Sequence, residues 1–399
     1  MNRHATLAII AGAMLLFQAP LRSYGHAPPD TTSLQAPQKK VAVTGYLKDL
    51  QSVQVFSAGT PWELTNLVHN RLDLHWRADS NWKFQLGVRN RFYYGDTASI
   101  AAVRPTLGDG PDQLADLSAT VARGPSSLLN TAIDRAYIDY TRGKWEVSAG
   151  RQRINWGVNL VWNPNDLFNA YSYFDFDYEE RPGSDALRVQ YYLNSTSAAE
   201  IAWKPGRGDG QSTVAGLYRF TAGSYDFQVL GGLRQSDVVA GGGWSGSIHQ
   251  AGFNGEVTAF IPRHDSTGGA VVSASVGTNY TFAGGLYLHA AYLLNTGGHL
   301  KADSATAFLL LQQVSAKTLS PFRHSVFAEA AYPFNPLVRG DLALIWEPTD
   351  GSLFAAPFVT VSLSNTLELL GGGQLFFGSP HSLFAAYGKA IYLRLKWSF

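Results

Sequence analysis

From Arg71 to Arg89 the chain alternates charge and hydrocarbon so strictly that each face of its strands must meet a solvent of its own. Leu72, Leu74, Trp76 and Ala78 alternate with Arg71, Asp73, His75 and Arg77. After Asp79-Ser80-Asn81, Trp82, Phe84, Leu86 and Val88 alternate with Lys83, Gln85, Gly87 and Arg89. A period of two marks a strand with one apolar and one polar face. Placing four ionisable side chains of one strand in a dry sandwich core costs several kcal/mol each unless they are paired. A closed barrel with lipid outside and water inside satisfies both faces.

The two ends of the chain agree. Arg3 and His4 precede an unbroken apolar run from Ala5 to Phe17, followed by small-x-small sites at Ser23-Tyr24-Gly25 and Gly25-His26-Ala27. This is the pattern of a cleaved secretory signal peptide over residues 1–25, and the run is shorter than the roughly 18 apolar residues of a membrane helix. Residues 26–40 are a Pro-, Thr- and Gln-rich periplasmic lead, and 41–399 form the barrel. In the last segment Ile391, Leu393, Leu395, Trp397 and Phe399 alternate with Ala390, Tyr392, Arg394, Lys396 and Ser398. A terminal Phe399 behind apolar residues at every second position, Trp397 among them, is similar to the signal read by the bacterial outer-membrane assembly machinery.

Composition excludes the competing classes. Charged residues make up 15% of the chain, against about 25% in soluble domains, while 10 Trp, 19 Tyr and 40 Gly suit a lipid-facing surface with aromatic girdles. There is no cysteine, so disulfides, thiolate metal sites and Cys nucleophiles are absent. A formal charge of +1 gives no reason to expect nucleic acid. The histidines are scattered and no Gly-x-Ser-x-Gly elbow occurs, so an enzyme is not expected. Nor is a metal or other cofactor: Asp175, Asp177 and Glu179 alternate, but no calcium-loop pattern surrounds them. A TonB-dependent receptor needs an N-terminal plug, for which the lead leaves no room.

Short turns fall at 79–81, 142–144, 194–196, 221–224, 283–285, 335–336 and 365–366, with long loops at 95–130, 155–185 and 295–321. Short periplasmic turns and long extracellular loops are the rule for such barrels. Both chain ends must lie in the periplasm, so the strand number is even. Splitting 225–262 into 225–235, 238–248 and 251–262 gives about eighteen strands and puts every long loop outside.

Residues 131–193 carry a more particular pattern: Asp134-Arg135-Ala136-Tyr137, then Gly150-Arg151-Gln152, Trp156-Gly157 and Asn163-Pro164-Asn165-Asp166. This order resembles alginate-export-like outer-membrane porins and their porin-like relatives. The resemblance implies an eighteen-stranded monomeric barrel with a polar, arginine-containing lumen, and carries no substrate. The chain lacks the basic excess expected of a polyuronate exporter.

Alternation places Arg71, Arg77, Lys83, Arg89 and Arg91 on the lumen face of adjacent strands, with Arg135, Arg151, Arg153 and Arg188 from their neighbours. Near Gly150-Arg151 the alternation breaks, either at a bulge or because the strand leaves the hydrocarbon. A continuous basic wall concentrates anions; equally, Asp73, Asp139, Glu146 and Glu200 can make it a hydrogen-bonded brace. The loop holding Trp156, Trp162, Asn163, Asp166, Tyr171 and Tyr173 reads either as an inward constriction or ligand loop, or as outer girdle and plain loop packing. The function expected is diffusion or export of small polar solutes, organic anions or oligosaccharides, by a monomer in a bilayer with lipopolysaccharide. The alternative is a plugged surface barrel acting through its loops as an adhesin or receptor.

Overall fold

The computed structural model describes residues 40–55, 61–96, 113–174, 181, 183–208, 210–264, 269–298, 314–380 and 382–399. Residues 1–25, expected to be a signal peptide, most of the expected lead and the acidic run 175–180 lie outside them. The described residues contain nineteen strands. The first seven are β1 (Val41–Val55), β2 (Glu63–Arg77), β3 (Trp82–Gly95), β4 (Ser118–Gly124), β5 (Ser127–Arg142), β6 (Trp145–Gln152) and β7 (Ser184–Tyr192). Next come β8 (Ser197–Lys204), β9 (Thr213–Ala222), β10 (Tyr225–Arg234), β11 (Asp237–Ile248), β12 (Ala251–Pro262) and β13 (Val271–Thr281). The chain closes with β14 (Tyr287–Asn295), β15 (His324–Asn335), β16 (Val338–Glu347), β17 (Ser352–Ser362), β18 (Leu367–Phe377) and β19 (Lys389–Ser398).

Each strand pairs antiparallel with its successor, except that β3 pairs with β5, and β1 pairs with β19 to shut the ring. Eighteen strands therefore make the wall. The extra strand, β4, hydrogen-bonds the part of β5 that lies beyond the reach of β6. The segment expected to be loop from 95 to 130 thus holds a hairpin, because Ser127–Thr131 continue β5 against β3. The three expected strands between 225 and 262 are β10, β11 and β12.

Outward positions are hydrocarbon. Leu72, Leu74, Trp76, Ile201, Trp203, Val229, Val257, Trp346, Ile391 and Leu393 are all exposed, whereas their inward neighbours Arg71, Glu200, Gln228, Glu256 and Glu347 are buried. A barrel with apolar residues outside and carboxylates inside inverts a soluble protein, as a membrane requires. Stacked or tilted pairs Trp76–Phe84, Trp82–Tyr140, Trp145–Tyr191 and Phe220–Phe227 lie within a few residues of the short turns and form a girdle at that rim.

The pleat is interrupted where it matters. Between Gly87 and Val88 the β3–β5 register shifts by one, leaving Asp134 as the extra residue of a bulge. Asp134 and Arg135 are consequently both buried. At Gly150 the register with β5 and β7 runs on without a shift, so the first of the two expected causes, a bulge, is absent there. The break comes instead from a left-handed backbone, φ +115°, which only glycine adopts at ease.

Candidate functional site

The chain leaves β6 at Gln152 and turns into the barrel. Residues 153–174 are fastened to the inner wall by a series of polar bonds. Trp156 donates its indole N–H to Glu200 of β8 at 2.7 Å, and Gln228 of β10 donates to the Trp156 carbonyl at 2.6 Å. Glu256 of β12 accepts the backbone amides of Val158, Asn159 (2.8 Å) and Asn165 (2.8 Å). Thr258 donates to Asn165 Oδ1 at 2.7 Å, and Asn159 donates to the Ser275 carbonyl of β13 at 3.2 Å.

Beyond these bonds the loop becomes aromatic. Trp162 and Tyr173 meet Phe327 of β15 edge-on at 6.2 and 5.0 Å, and Phe174 packs on Phe354 of β17 at 5.0 Å. Gln374 of β18 donates to the Phe174 carbonyl at 2.6 Å. The loop therefore crosses the interior along the arc from β8 to β18. Trp156 is 0% and Trp162 5% exposed, so neither belongs to an outer girdle.

The Trp-Gly and Asn-Pro-Asn-Asp elements singled out in the sequence interlock here. A Cβ at Gly157 would fall on the side-chain amide of Asn163. Asn165 sits over Gly243 of β11, where a Cβ would come within 3.0 Å of its Nδ2 and 2.9 Å of the Gly255 carbonyl. The glycine-rich strand thus makes space for the loop. Asp166 is fully buried, 3.6 Å from Arg181, whose guanidinium lies 3.6 Å above the Tyr171 ring. Burial raises the Asp166 carboxyl to about 6, with Arg181 and Arg153 pulling the other way. Burial, and then repulsion by Arg181, lowers the Arg153 guanidinium, which is nevertheless exposed. Burial also raises the phenols of Tyr171 and Tyr173.

The basic residues of the wall show two features. Several are spent on partners. Arg71 grips Asp73 through two bonds of 2.6 and 2.8 Å and reaches Asp134 across the bulge. Arg151, 3% exposed, holds Asp185 through two bonds (2.7 and 2.8 Å) and also donates to the Ala115 and Ile133 carbonyls. Arg135 donates to the carbonyls of Asp134 and Arg181, and Arg188 pairs with Glu146. Gly150 and the covering segment around Ala115 thus take Arg151 off the open wall.

Basic side chains also line up in rows set by register, Arg71 among them. One row crosses four strands as Lys396, Lys48, His69 and Arg91; the next carries Tyr46, Arg71 and Arg89. Arg77 pairs in register with Lys83 near the short turn, where Lys83 is exposed. Sequence reasoning missed Lys48, His69, Lys396, Arg181 and Glu256. Lys48 and Lys396 were accessible from the parity of Tyr46, Leu50 and Trp397. Nothing local distinguishes Glu256 from any other inward strand residue. In the last strand, Trp397 lies on the outer face of β19, opposite Leu47.

No protein-family model matches the chain, and no curated protein matches it. Solved structures do. The chain is similar to OccK5 (OpdH) of Pseudomonas aeruginosa, with a TM-score of 0.59 at 8% identity over 90% of this chain and 98% of that one. OccAB4 of Acinetobacter baumannii gives a TM-score of 0.57 at 9% identity, covering 91% and 99%. OccD3 (OpdP) of Pseudomonas aeruginosa gives 0.53 at 9% identity, covering 90% and 91%. These neighbours are outer-membrane porins. At such identities the likeness is one of fold, and it extends over nearly the whole wall. Together with the apolar outer belt, it makes this chain a closed antiparallel barrel of the bacterial outer membrane.

Proposed function

We propose that the chain is an outer-membrane channel for small polar solutes, leaning toward anions, with residues 153–174 as its constriction. One observation carries the reading: the loop is seated on the β8–β18 arc, whereas the two basic rows belong to β19, β1, β2 and β3. A solute entering the lumen meets the cation-rich wall and, at the loop, Arg153, Arg181 and Tyr171. Such an arrangement raises the local concentration of anions without a cofactor. The porin neighbours support passive diffusion over catalysis.

The alginate-export-like likeness belongs to the same proposal, as do recognition of Trp397 and Phe399 by the assembly machinery, a lipopolysaccharide-containing leaflet and a monomeric state. The test is a planar-bilayer recording of the refolded mature chain under a salt gradient. Discrete open steps with an anion-leaning reversal potential support the channel. A verified, heat-modifiable barrel that gives no steps refutes it and leaves the loops as a receptor or adhesin surface.

A further inference from the structure

Glu256 stands out among the inward carboxylates because its partners are backbone. Its neighbours on the ladder, Gly243 of β11 and Ser275 of β13, pair with it only through the main chain. Its side chain is 1% exposed and takes three amide N–H groups from one segment: Val158 and Asn159 on Oε1, Asn165 on Oε2. The segment between these amides carries Leu160, Val161 and Trp162, the part that reaches toward Phe327. One carboxylate therefore closes both ends of the finger that projects across the lumen. Hydrogen bonds to a charged acceptor are the strong ones. Buried amides deprived of their acceptor are costly.

We infer that Glu256 is a positioning residue that sets the bore of the channel by pinning the base of the 158–165 finger; this rests on the channel reading above. The role is separable from folding of the wall. β12 keeps its ladder with β11 and β13 whatever its side chain does, and Gln228 and Gln374 hold the loop at other points. Without Glu256 the base of the finger keeps only the side-chain bonds of Asn159 to Ser275 and of Thr258 to Asn165, and the aromatic tip its packing.

The experiment compares wild type with Glu256→Ala and Glu256→Gln, each checked as a heat-modifiable barrel. Unitary conductance and the size of polyethylene glycol that still enters the pore are recorded. Glu256→Ala is expected to raise both and to add open-state noise. Glu256→Gln is expected to fall between: its amide oxygen can still accept from Val158 and Asn159, but its NH2 faces the Asn165 N–H. A conducting wild type with an unchanged bore in folded Glu256→Ala overturns the inference and leaves the channel reading standing. A wild type that does not conduct sinks the channel reading instead. Trypsin then decides the pinning, through cleavage after exposed Arg153: faster nicking in Glu256→Ala supports it, and equal rates refute it.

Discussion

Replacing Asp166 by asparagine tests the loop's electrostatics most directly. Asp166 is 0% exposed, and its carboxyl is raised from 3.8 to about 6 because burial outweighs the attraction of Arg181 and Arg153. A shift of roughly two units corresponds to about 3 kcal/mol. The sign follows from linkage: the folded state binds the proton more tightly than the unfolded one. Stability is therefore greatest below the unfolded value near 3.8, and is lost as pH rises through about 6. Asparagine imitates the protonated form at every pH. Wild type and Asp166→Asn should therefore unfold alike near pH 4, while at pH 8 the variant should be more stable by up to ~3 kcal/mol. Urea unfolding in lipid vesicles, followed by tryptophan fluorescence from pH 4 to 8, reads this difference. A variant less stable than wild type at pH 8 would show that the Arg181 attraction wins over desolvation, and the reasoning would be refuted. The same substitution removes the negative charge beside Arg153 and Arg181. Anion preference should accordingly rise in Asp166→Asn at pH 8, and in wild type on acidification from pH 7 to 5.

Arg71→Met leaves Asp73 and Asp134 facing each other inside the wall, and breaking such a buried pair costs about 3–5 kcal/mol; a lowered urea midpoint checks it. Arg153→Gln should move the reversal potential away from anions, more at low salt than at high, with at most a small fall in the urea midpoint, since this exposed side chain acts on Asp166 through its charge. Phe399→Ala should reduce the folded barrel recovered from the outer-membrane fraction, while refolding of the purified chain into detergent stays at wild-type yield.

How much of this was legible depends on the range of the forces involved. Strands are local, and the alternation of Leu72 to Arg89 declares both faces without knowledge of any neighbour. Even the glycine-rich Val238–Ile248 was recoverable, because parity demanded a strand there; its purpose was not, since the seat for Asn165 over Gly243 depends on a loop some eighty residues earlier. β4 was missed for a related reason: Ser118–Gly124 is short and weakly patterned, and it pairs only where β6 has left the wall. Asp73 could be read as a partner of Arg71 from its place two residues along the same strand. Asp134 could not, because only the bulge turns it inward. The inward course of 153–174 was one of two open readings, decided by Glu200, Gln228, Glu256 and Gln374 on four separate strands.

Those pairings also bear on where selectivity resides. An arginine gripped by carboxylates adds little to the field felt by a passing solute, however many such residues a wall contains. Arg71 shares Asp73 and Asp134, Arg151 has Asp185, Arg188 has Glu146 and Arg394 has Glu368. Among the described residues the compensation at the loop is thinner: there Arg153 and Arg181 share the carboxylate of Asp166, itself half-titrated near pH 6. Neutralising Arg71 and Arg151 together should therefore weaken the barrel more than it changes ion preference. Neutralising Arg153 and Arg181 should do the reverse. Reversal potentials and urea midpoints measured on both double variants would separate the two roles. An equal loss of anion preference from both pairs would mean that the wall, braced or not, sets the field.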